Sequence, residues 1–124
     1  MLIKTIKIDG KEVEFKASAS TPRIYRIKFR RDIMQDMTKL KSAYVKNQQE
    51  GIEFEIMDLE IFENVAYIMA RQADNSIPSE ITDWLDQFNM FSIYVVLPEI
   101  IDLWRLNEES MVDSKKNLIQ VAGN

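Results

Sequence analysis

Apolar and charged residues alternate on both sides of an Asp9-Gly10 pair. Ile6 and Ile8 precede it, Val13 and Phe15 follow it, and Lys7, Lys11, Glu12 and Glu14 fall between. Alternation sends successive side chains to opposite faces of a strand, and Asp-Gly supplies the positive φ angles of a tight hairpin turn. The pattern predicts a β-hairpin over residues 2–16. Two strands alone are marginal in water, so the hairpin has to pack on helices from the rest of the chain.

The period then changes. Thr21 reads as an N-cap and Pro22 as the first helical residue, where a missing N–H is harmless. The helix from Pro22 carries Ile24, Ile27 and the i,i+4 pair Tyr25/Phe29. It either breaks or continues at Asp32, itself suited to capping. Beyond Asp32, Ile33, Met37, Leu40 and Tyr44 recur at helical spacing to about Gln48, and Asn47 to Gly51 reads as a polar connection. Leu59, Phe62, Ala66, Met69 and Ala73, widened by Val65, mark the clearest helix, about Asp58 to Ala73, closed by Asp74-Asn75-Ser76. Pro78-Ser79 opens a short helix with Ile81, Trp84, Leu85 and Phe88. A last helix is expected from about Met90 to Leu106, with Ile93, Leu97, Ile100 and Trp104 on one face. Pro98 inside it implies a kink or two abutting helices, because proline removes a backbone bond and clashes with the preceding turn.

These elements describe an α+β fold, mainly helical: an N-terminal β-hairpin followed by four or five helices, in one domain over residues 1–107. Residues 108–124 turn polar and read as a loose tail.

At 124 residues, 46% of them apolar, the chain is long enough to build its own core. A net charge of −4 gives no general attraction to phosphate backbones, so nucleic-acid binding would need a local basic patch. There is no cysteine and no histidine. Disulfides are therefore excluded, and the usual transition-metal ligands, general base and thiol nucleophile are missing. The N-terminus alternates and is charged, unlike a signal peptide. The longest apolar run, Ile93 to Pro98, is far short of the roughly 20 residues of a membrane span. A soluble, cytoplasmic chain is expected.

The chemistry on offer is thin. Glu53, Glu55, Asp58, Glu60 and Glu63 cluster, but acids favour the positive N-terminal end of a helix without any metal. The three glycines, Gly10, Gly51 and Gly123, form no phosphate loop, and a serine nucleophile would lack a histidine base. Neither catalysis nor a bound cofactor or metal is expected. Arg23, Arg26, Lys28, Arg30 and Arg31 form the densest basic run. It reads as the solvated side of a packed helix, with contact to an acidic partner or nucleic acid as the alternative. Trp84, Phe88, Phe91, Tyr94 and Trp104 make an aromatic-rich stretch that reads first as core and second as a partner groove. Seven methionines lean towards an adaptable binding surface. The candidate partner-binding residues are therefore Arg23, Arg26, Arg30, Trp84, Phe88, Phe91, Tyr94 and Trp104.

Three stretches, Ile8 to Asp32, Phe62 to Asp74 and Ile77 to Trp104, carry T-P-R-x-Y-R, W-L-D-x-F, F-S-I-Y and L-P-E-I-I-x-L-W in that order. The ordered set, spanning about residues 3 to 106, resembles the tail assembly chaperones of siphophages and prophages of Gram-positive bacteria. That resemblance implies a protein that acts during tail building, binds the tape-measure protein and helps recruit tail-tube protein. It also implies self-association and a place in the host cytoplasm but not in the mature virion. In many such phages a minus-one frameshift yields a longer second product. Ser114-Lys115-Lys116-Asn117 permits a slippery codon set, giving an expected frameshift at Lys116-Asn117. The alternative reading is a small regulatory adaptor or nucleic-acid-associated protein using residues 23–31. A weaker alternative is a structural tail or head-completion protein retained in virions.

Overall fold

A computed structural model describes residues 2–106 of the chain. The expected tail at 108–124 and the proposed slippery site at Lys116-Asn117 lie outside the described residues. The predicted fold class is found: an antiparallel hairpin followed by five helices. Strands β1 (Leu2–Ile8) and β2 (Lys11–Ala17) pair in register from Leu2↔Ala17 to Ile8↔Lys11. Asp9 and Gly10 make the turn with φ of 52° and 79°, the two positive angles a two-residue hairpin of this hand requires.

The inner face of the hairpin carries Ile6, Ile8, Val13, Phe15 and Ala17, with Phe15 and Ile8 fully buried. The outer face carries Ile3, Thr5, Lys7, Glu12 and Glu14, all exposed.

Helix α1 (Thr21–Phe29) begins one residue earlier than the proline suggests, and Ser20 holds the N-cap position without a side-chain bond. Thr21 is not the cap. Its hydroxyl accepts from the Ser18 amide at 2.9 Å and donates to Gln72, so a buried link to another helix takes the place of capping. Arg30, left-handed at φ 58°, stops α1, and Asp32 then caps α2 (Ile33–Glu50) by accepting from the Met34 amide at 2.9 Å. The chain therefore breaks before Asp32. Of the apolar residues on α1, Ile24 and Ile27 are 37% and 60% exposed; Tyr25 takes the core position and Phe29 packs on it at 5.2 Å.

Helix α2 runs to Glu50 and ends at Gly51, left-handed at φ 69°, so the expected polar connection is mostly the last turn of the helix. Helix α3 (Ile56–Ala73) is the axis of the fold. Between Ile61 and Ala70 every residue except Glu63 is buried. A helix apolar on all sides belongs in the centre, and α3 meets β2, α1, α2 and α4 (Ile81–Leu85).

The expected helix from Met90 to Leu106 is two elements. Ser92–Val96 forms a 3-10 turn, and α5 occupies 97–106. Pro98 sits in the first turn of α5, where its missing N–H is no loss, so of the two expected outcomes the abutting elements are found. Ile93, Leu97, Ile100 and Trp104 are all buried despite the break. No helix among the described residues is long and apolar enough to cross a membrane.

Candidate functional site

The aromatic-rich stretch divides by depth. Helix α4 turns Trp84 into the core, 1% exposed, with its ring 5.8 Å from Tyr67. Phe88, just beyond the end of α4, is half-buried and meets Trp84 edge-on at 5.3 Å. Trp104 is buried on α5. Tyr94 is half-buried against Phe62, and its hydroxyl donates to Glu63 Oε1 at 3.1 Å. Phe91 is different: 72% exposed, beside Met90 at 79% and near Val95 at 59%.

Local backbone explains the split. A 3-10 turn repeats every three residues, so Ile93 and Val96 share the inward side and the intervening Val95 points out. The segment is tied to the hairpin tip. Asp9 accepts from the Asn89 amide at 2.8 Å and from the Ser92 hydroxyl, and those two bonds hold its carboxyl below the ordinary aspartate range. A second tie joins Lys4 on β1 to Glu99 on α5. Large apolar side chains are thus presented outward on an anchored segment.

The basic run also divides. Arg31 turns back to Asp36, Nε to Oδ2 and Nη2 to Oδ1, both at 2.8 Å. Lys28 donates to the Ser79 carbonyl at 2.9 Å with its ammonium 5.5 Å from the centre of the Tyr67 ring. Arg23, Arg26 and Arg30 are exposed; the first two are neighbours at i, i+3 on α1, and Arg30 follows at its left-handed C-cap. Sequence alone spread these charges around the helix; internal partners for Arg31 and Lys28 leave three arginines facing solvent.

In the acidic cluster, Asp58 is buried and used. It accepts from Lys39 Nζ at 2.6 Å and from the Glu55 amide at 3.0 Å, locking α2 to the start of α3. Lys39 is correspondingly held above its ordinary range, chiefly by the Asp58 bond. Among the described residues no group of three or more acidic side chains is arranged to hold a metal.

Two clefts lie beside these residues. One, about 470 Å³, runs along Lys11 to Glu14 of β2 and is walled by Ala73, Asp74, Ile77, Trp84, Gln87 and Phe88. The other, about 440 Å³, is lined by Tyr44, Phe54, Leu59, Tyr94, Leu97 and Pro98, with Asn47 and Gln48 at its side. Neither is legible in the sequence, since each joins segments far apart in the chain. No protein-family model, curated protein or solved structure matches the chain.

Proposed function

We propose that this chain is a phage tail assembly chaperone, a non-catalytic protein that binds the tape-measure protein and assists tail-tube assembly. The observation that carries the reading is the outward Met90, Phe91 and Val95 on a segment anchored through Asp9. This segment includes the F-S-I-Y part of the sequence resemblance. An apolar stripe on a long partner helix needs a transient cover, and exposed methionine and aromatic side chains adapt to such a surface. Self-association, a longer frameshifted sister product and action in the host cytoplasm, apart from the mature virion, belong to the same proposal.

Co-expression tests it. The gene is expected between a tail-tube gene and a very long tape-measure gene. The two products should co-purify, with the tape-measure protein soluble only when this chain is present. A Phe91→Asp variant should lose both effects. A tape-measure protein that stays insoluble beside the wild-type chain overturns the reading.

The exposed Arg23, Arg26 and Arg30 support a second reading, an adaptor that contacts an acidic partner or nucleic acid. Salt-sensitive DNA binding lost in Arg26→Ala and Arg30→Ala would favour it over the chaperone.

A further inference from the structure

The hairpin has an open edge facing a cleft. In a two-residue hairpin the residues flanking the turn form a hydrogen-bonded pair, and bonded pairs then alternate with non-bonded ones. Ile8↔Lys11 and Ile6↔Val13 are therefore bonded, and the backbone N–H and C=O groups of Glu12 and Glu14 point away from β1. Among the described residues, no backbone bond from another element reaches those groups. An edge of this kind is a template for another strand.

What lies beyond the edge is specific. The cleft of about 470 Å³ is lined by Lys11 to Glu14 of β2 with Thr5 of β1, and across from them by Ile77 and Phe88 with the buried Trp84 behind. Lys11 Nζ reaches the Gln87 carbonyl at 3.3 Å, bridging from the hairpin to the chain beyond α4. The rim is acidic: Glu12 and Glu14 on β2, and Asp74 opposite, whose carboxyl is kept low by bonds from the Ser76 hydroxyl and amide.

We propose that the free edge of β2 and this cleft form a strand-addition site for an extended partner segment that alternates apolar residues with lysine or arginine. The segment hydrogen-bonds through its backbone to Glu12 and Glu14. Alternate apolar side chains enter the cleft towards Ile77 and Phe88, and its cations meet the acidic rim. The site is independent of the chaperone reading, which rests on a helical partner and on Phe91.

The test uses the full chain and fluorescent hexapeptides. A peptide alternating lysine and valine should bind at least about tenfold more tightly than one alternating glutamate and valine. N-methylation of the peptide amides that face β2 should remove binding. Glu14→Pro blocks the free-edge donor while leaving the ladder to β1 intact, a position where an edge strand tolerates proline. It should weaken binding by at least about tenfold, whereas Lys7→Pro, on the opposite edge, should not. Unchanged binding of the N-methylated peptide overturns the proposal even where the proline variants fail to fold. Unchanged binding in a folded Glu14→Pro protein also overturns it. So does concentration-dependent dimerisation through Glu14 without peptide binding, which would make the occupant a second copy.

Discussion

The Tyr25 hydroxyl donates to Asp36 Oδ2 at 2.6 Å in the seam between α1 and α2. Asp36 also receives both Arg31 bonds, and its side chain is only 5% exposed. This cluster spans the break at Arg30 and fixes the angle at which α2 leaves α1. Tyr25→Phe removes one of three bonds to a carboxylate that keeps its arginine, and should cost about 1 kcal/mol. Asp36→Ala leaves a buried hydroxyl unpaired and frees Arg31, and should cost about 2–3 kcal/mol. Urea unfolding measures both. Equal losses would show that Arg31 contributes little.

The same pair sets opposite pH limits. Burial alone would raise the Asp36 carboxyl, but the Arg31 and Tyr25 bonds outweigh it, and its folded pKa lies below the ordinary value. A lowered acid contributes stability above its unfolded pKa, about 3.9, that is lost as pH falls through the folded value. Tyr25 is raised, first by burial and then by Asp36, so its contribution is full below about pH 10 and is lost as pH rises beyond that. Asp36→Asn should flatten the acid limb of a stability profile, and Tyr25→Phe the alkaline limb. Denaturation midpoints between pH 2 and 11 would separate them.

Asp58 ties α2 to α3 by a second polar bridge, accepting from Lys39 and from the Glu55 amide. Asp58→Ala should cost about 2 kcal/mol, combining a lost helix-start bond with a lost partner for Lys39. Lys39→Met should cost less, since Lys39 is 44% exposed and its aliphatic stem is retained. Thermal unfolding of the two variants checks the order.

Gly10 adopts φ 79°, and a Cβ placed there would meet nothing within 4 Å. Gly10→Ala should therefore cost about 1 kcal/mol through backbone strain alone. A loss well above that would mean the turn also moves Asp9 away from Asn89 and Ser92. Amide exchange at Asn89 would detect that movement.

Phe91 and Val95 contribute little to the fold because both are mostly exposed. Phe91→Asp and Val95→Asp should each change stability by no more than about 0.5 kcal/mol while removing capture of an apolar helical partner. Differential scanning calorimetry beside the co-purification assay reads the two effects separately.

Much of the architecture is a local property of the chain. Alternation around Asp9-Gly10 sets the hairpin, because period two and positive φ are decided within a few residues. Helical spacing from Ile33 to Tyr44 and from Leu59 to Ala73 sets α2 and α3 for the same reason. The proline at position 98 announced an interruption, and Ile93, Leu97, Ile100 and Trp104 faced inward as their spacing required. The apolar pattern of α1 did not say which residues face the core: Tyr25 has Asp36 as a buried partner, and Ile24 and Ile27 are left exposed. Local pattern could not separate Phe91 from Trp84, since both are aromatic in one apolar stretch. Their fates depend on what α3, the hairpin tip and the 3-10 turn place beside them. The open edge of β2, the cleft under Trp84 and the exposed arginines left by Arg31 and Lys28 are likewise products of tertiary packing. Each depends on which distant groups arrive to satisfy a backbone amide, a ring or a charge, and spacing along the chain does not carry that information.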